Sequence, residues 1–139
     1  WTDEDRKKYK AKINDVIKQY EEVAKRDGIE FDASIGVGED LADISVLALV
    51  EEYLYYFQLL HDDIPIIKNL SLAAFYTYSA IQSRQKIFDA ALPAQLKQNP
   101  HPLEKYRCNC PLSRLSLFRE LYQVEKGDGM YWHNTDTIW

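Results

Sequence analysis

The first thirty residues carry a clear period. Apolar side chains recur as Tyr9, Ile13, Val16, Ile17, Tyr20, Val23 and Ala24, the i, i+3, i+4, i+7 spacing that gathers them on one face of an α-helix. The opposite face sets Glu4 four residues before Lys8 and Glu22 four before Arg26, the favourable acid-first order. Thr2 with Asp5 makes a capping-box pattern, and Gly28 stands where a left-handed residue ends a helix. A helix is predicted over residues 3–27.

After a loop at 28–39 with three glycines, a second helix is predicted over 40–61. Its apolar residues cover most of the circumference, so it is expected to be buried on several sides. One narrow stripe, Glu51, Tyr55, Gln58 and Asp62, is left to face water. A third helix is predicted over 65–91, opened by Asp62 or Asp63 as cap with Pro65 in the first turn and stopped by Pro93. Four prolines between 93 and 111 break the chain into turns. A shorter fourth helix over 111–125 buries Leu112, Leu115, Phe118, Leu121 and Tyr122 and ends at Gly127. The tyrosine-rich runs Tyr53–Phe57 and Phe75–Tyr78 are expected to face each other in the core. The predicted class is all-α: an antiparallel bundle of three long helices and a shorter fourth. It forms a single domain over 1–139, whole or as a fragment of a larger protein.

Composition adds that 46% hydrophobic and 13% aromatic residues make an ordered, core-forming chain. The longest uncharged stretch, Asn69 to Ser83, is shorter than the ~18 to 20 apolar residues of a membrane helix, so no membrane insertion is expected. Only Cys108 and Cys110 are present and no signal-peptide pattern opens the sequence, which places the chain in a reduced, intracellular and cytoplasmic setting.

Charge is unevenly distributed. Residues 31–63 carry eight acids and no base, while the chain as a whole has a formal net charge of −5. An acidic surface disfavours nucleic acid, which needs basic residues for its phosphates, and favours a protein partner with a basic surface.

No motif completes a catalytic set. Gly36-Val37-Gly38 lacks the further glycine and lysine of a phosphate loop, and Glu39 and Asp40 would repel an anion there. Cys108-Asn109-Cys110 with His101 and His133 offers soft ligands for zinc without the usual separated pairs. Neither cysteine shows a nucleophilic arrangement. The reading that follows is a non-catalytic helical protein–protein interaction domain without a cofactor. Its contacts would be the acidic stripe Glu51, Tyr55, Gln58 and Asp62 and the aromatic tail Tyr131, Trp132 and Trp139.

The alternative reading is a Mg²⁺-dependent enzyme acting on a diphosphate. The segment Phe57-Gln58-Leu59-Leu60-His61-Asp62-Asp63-Ile64-Pro65 resembles the first aspartate-rich motif of the trans-isoprenyl diphosphate synthases, which implies Asp62 and Asp63 as ligands of Mg²⁺ and a diphosphate. Asp40 and Asp43, at i, i+3 with Glu21 and Glu22 on a neighbouring helix, are faintly similar to the all-α nucleotide pyrophosphohydrolases of the MazG type, which implies a second acidic metal site.

Overall fold

A computed structural model describes residues 1–61 and 71–138. Among the described residues six α-helices run in chain order: α1 (Asp3–Arg26), α2 (Val37–Leu60), α3 (Leu72–Gln82), α4 (Leu92–Gln98), α5 (Glu104–Leu112) and α6 (Ser116–Leu121). Single 3-10 turns sit at Ala33–Ile35 and Asp89–Ala91, and no strand occurs among the described residues. The all-α class is as expected.

α1 forms as its pattern predicts. The Thr2 hydroxyl accepts from the Asp5 N–H, the Asp5 carboxylate accepts from the Thr2 N–H, and Gly28 follows with φ +72°. Val16, Tyr20 and Ala24 are fully buried against α2 and α5.

The architecture turns on the short helix α5. Its residues at i, i+4 spacing divide between two cores. Tyr106 and Cys110 join Val16, Tyr20, Ala24, Ala33, Ile44 and Ile138 in the first. Cys108 and Leu112, on the opposite side of the helix, join Tyr76, Leu115 and Phe118 in the second. A large side chain buried this way contributes roughly 1.5–3 kcal/mol, so nine residues are held from both sides.

Three boundaries differ from the pattern reading. Residues 83–88 are not helical, so α3 ends at Gln82 well before Pro93. Pro93 does not stop a helix but sits in the first turn of α4, where its missing N–H costs nothing. Pro111 lies near the end of α5 rather than opening the last helix, and the chain bends through Ser113–Leu115 into α6. The expected start of the third helix at Pro65 lies outside the described residues.

α2 also departs from the expectation of burial on several sides. Val46, Leu49, Tyr53, Tyr56 and Leu60, spaced 3-4-3-4 along one face, are all exposed, Leu60 to 76%. Only Asp40, Ile44 and Glu51 are fully inside. The tyrosine runs do not meet as expected either. Tyr76 is buried, while Tyr53, Tyr55, Tyr56 and Tyr78 are exposed. Among the described residues, no helix is long and apolar enough to cross a membrane.

Candidate active site

The N-terminus of α2 and the loop before α5 meet so closely that residue 36 must be glycine. A Cβ on Gly36 would collide with the Pro100 carbonyl oxygen and reach Pro102 Cδ at 3.3 Å. The loop has its own bracing. The His101 N–H donates to Asn99 Oδ1 (2.9 Å), Gln95 Nε2 donates to the His101 carbonyl (3.0 Å), and Asn99 Nδ2 donates to Gln95 Oε1 (3.0 Å). His101 is therefore presented to the first turn of α2, with its Nδ1 3.5 Å from Glu39 Oε2. Both side chains are a little under half exposed, yet Nδ1 itself is sealed from solvent and makes no hydrogen bond among the described residues.

One turn further along α2, Asp43 receives a bidentate pair from Arg107 of α5, Nε to Oδ2 at 2.7 Å and Nη2 to Oδ1 at 2.9 Å. The third nitrogen, Nη1, lies 3.5 Å from Glu104 Oε1. Such fork geometry fixes orientation as well as charge, and Asp43 raises the Arg107 guanidinium pKa still further. Asp40, between exposed Glu39 and half-buried Asp43, points the other way. It is fully buried, neither oxygen has a partner among the described residues, and burial first, then the Asp43 charge, pushes its carboxyl up to about 8. At neutral pH Asp40 is mostly protonated, which removes one negative charge from a crowded turn.

Beside this cluster lies a cleft of about 410 Å³. α2 gives it an apolar wall of Ala42, Val46 and Leu47 above Asp43, the end of α3 gives Ser79, Gln82 and Ser83, and α5 gives Glu104, Arg107 and Cys108.

The residues singled out from sequence are dispersed. Glu51 is buried, not on a water-facing stripe. It accepts from the Tyr76 hydroxyl and from the Leu117 and Phe118 N–H groups that open α6, and burial raises its carboxyl pKa. Tyr55 is exposed and Gln58 half-buried. Trp132 is buried rather than exposed, its Nε1 3.4 Å from Asp15 Oδ2, and Tyr131 lies beneath the Arg119 guanidinium at 4.7 Å. Asp40 and Asp43 do not form a metal pair, since one is sealed and the other is bound by Arg107. Asp62, Asp63 and Trp139 lie outside the described residues. The cysteine–histidine zinc site does not assemble: His133 faces Asp15 at 3.4 Å while His101 faces Glu39, and both thiols are buried, which raises their pKa.

Glu39 and its meeting with His101 were missed from sequence, because a first-turn acid is sufficiently explained by the helix dipole and the two residues lie far apart in the chain. The visible signals were a glycine at the helix start and a histidine flanked by Pro100 and Pro102.

A helical framework presenting a carboxylate and an imidazole side by side at an open edge has the donor types of a metallohydrolase centre. The sequence model of peptidase family M13 matches residues 1–138, and the chain belongs to that family. No curated protein and no solved structure matches it. The family assignment overturns both functional expectations: the chain is part of a metallopeptidase family rather than a non-catalytic protein–protein interaction domain, and a diphosphate-acting enzyme is equally contradicted. It also replaces the cofactor expectation, since family M13 peptidases use zinc and Mg²⁺ has no support.

The fit to zinc is partial. Among the described residues no group of three or more His, Cys, Asp or Glu side chains could hold a metal ion. None of the three histidines, His61, His101 and His133, begins the His-Glu-x-x-His arrangement of a zinc-peptidase helix. Glu39 is a suitable carboxylate donor with His101 beside it, but a single donor falls short of the three protein ligands of a catalytic zinc.

Proposed function

We propose that this chain forms one side of the active centre of a zinc-dependent peptidase, with Glu39 as a carboxylate ligand and His101 beside it, and with the other ligands supplied from outside the described residues. The observation that carries this reading is the Glu39–His101 contact, the one place among the described residues where a carboxylate and an imidazole not otherwise engaged meet at an open edge. Of the three acids opening α2, Asp40 is sealed and Asp43 is taken by Arg107. Glu39 alone has a free carboxylate.

Zinc in such a centre supplies Lewis-acid polarisation of the scissile carbonyl. His101 has Nδ1 turned to Glu39; as an imidazolium, with one N–H toward that carboxylate, it would present Nε2–H to the oxygen that gains charge as the peptide bond is attacked. Arg107 and Asp43 act as positioning residues. Their bidentate pair locks α2 to α5 one turn behind Glu39, so the carboxylate and the imidazole keep their register.

The test is peptide hydrolysis by the full-length protein. Activity should vanish with a chelator and return with Zn²⁺. His101→Gln should lower kcat on the order of 10²–10³-fold, the usual loss for one such donor, with zinc content unchanged. Full turnover by His101→Gln would remove His101 from the centre, and hydrolysis indifferent to chelation would remove the zinc reading altogether.

A further inference from the structure

We propose that the cleft beside the Glu39–His101 pair selects a basic side chain of the peptide substrate, an inference that rests on the zinc-peptidase reading above. The cleft opens at the turn of α2 that follows Glu39 and is lined by Asp43 and Arg107, so a chain held at the Glu39–His101 edge has a neighbouring residue within its reach. Its volume, about 410 Å³, falls at the small end of the ~300–1,000 Å³ range of ligand clefts. That suits one long side chain rather than a folded segment.

The lining decides which side chain. Ala42, Val46 and Leu47 make a wall for methylenes. Two acids and one base line the cleft, and the base is already used: Arg107 commits Nε and Nη2 to Asp43. Among the described residues Glu104 is engaged only by Nη1 at 3.5 Å, so its carboxylate is the surplus charge. Gln82 and Ser83 add polar groups on the facing side. An apolar stem with a cationic tip matches this arrangement, with methylenes on α2 and ammonium or guanidinium at Glu104. An acidic side chain would meet Glu104 unpaired, and a large aromatic one would leave the polar wall unsatisfied.

The experiment uses the full-length protein and peptides identical except for Lys, norleucine, Glu or Phe at each position flanking the scissile bond. At one position, Lys should exceed norleucine about 10-fold in kcat/KM, the scale of one favourable charge contact. Glu104→Gln should erase that difference, bringing the Lys peptide down to the level of the norleucine peptide. Gln82→Lys, at an exposed side chain, should depress the Lys peptide alone. Equilibrium binding of uncleavable labelled peptides to the zinc-depleted protein should show the same order. A wild-type preference for norleucine, Phe or Glu at every position, or an equal loss on all peptides in Glu104→Gln, overturns the proposal. Lys preference in binding with zinc retained in Glu39→Ala would sink the ligand role of Glu39 and leave the cleft standing. Zinc loss in Glu39→Ala with no Lys discrimination would sink the cleft alone.

Discussion

Arg107 and Arg114 lie seven residues apart and each binds an aspartate, yet their surroundings differ in kind. Arg114 is 1% exposed and spends donors in three directions: Nε to Gln19 Oε1 at 2.6 Å, Nη1 to the Asp136 carbonyl at 2.9 Å, and Nη2 to Asp15 Oδ2 at 2.7 Å. Asp15 in turn receives Asn134 Nδ2 at 3.0 Å and Trp132 Nε1 at 3.4 Å. This network stitches the C-terminal tail onto α1 around a guanidinium that is itself buried. Arg107 is about a quarter exposed, satisfies Asp43 in full and Glu104 only loosely, and borders both the cleft and the turn that carries Glu39. The buried Arg114 holds the fold, whereas under the function proposed above the partly open Arg107–Asp43 pair would position Glu39.

The contrast can be broken by mutation, and the largest effect falls on the tail. Arg114→Ala takes the guanidinium from half-buried Asp15 and leaves the buried Gln19 Oε1 without its donor, and should cost about 3–5 kcal/mol. A urea titration followed by tryptophan fluorescence reads this directly, because Trp132 belongs to the same network. Gly36→Ala should cost about 1–3 kcal/mol, the scale of forced overpacking. It drives the Pro100–Pro102 segment away from α2, so peptidase activity should fall further than stability does. Arg107→Ala should lower stability by only about 1 kcal/mol, as for a solvent-accessible ion pair, while kcat/KM drops well beyond what unfolding explains. If Arg107→Ala destabilises as much as Arg114→Ala and leaves activity intact, the distinction between the two arginines fails.

The smallest effect concerns pH. Burial holds the Glu51 carboxyl above its ordinary value of 4.5, against the bonds from Tyr76 and the α6 backbone. The native state therefore keeps this proton more tightly than the unfolded chain. The stability linked to it is fully present below pH 4.5 and is lost as pH rises through the raised native value. Wild type should lose stability relative to Glu51→Gln as the pH rises above 4.5, measured by parallel urea titrations. A difference that grows in the other direction would mean that the bonds to Glu51 outweigh its burial.

Local physics was readable in the sequence wherever it is enough by itself. The Thr2–Asp5 box, the Val16–Tyr20–Ala24 stripe and the Gly28 stop define α1 without outside help. α2 was readable as a helix but not in its burial. Hydropathy reports that Val46, Leu49, Tyr53, Tyr56 and Leu60 are apolar and says nothing about whether this chain covers them. Pro93 was read as a stop because a proline breaks a helix interior, although the first turn tolerates it, and Pro111 was read as opening the last helix although it lies inside α5. At the site, Asp40 and Asp43 drew notice as a spaced pair, yet their environments send one inside and tie the other to Arg107. Glu39 gains meaning only when His101 is folded against it, and that depends on the Gly36–Pro100 approach, which no local pattern encodes.

The central claim is that Glu39 reaches a metal. Zinc content per chain, measured on purified full-length protein for wild type, Glu39→Ala and the control Glu30→Ala, tests it most directly. The account predicts close to one zinc in wild type and in Glu30→Ala, and a 10- to 100-fold weaker zinc affinity or outright loss of zinc in Glu39→Ala, the scale of a weakened metal site. Undiminished zinc binding in a folded Glu39→Ala protein would contradict it.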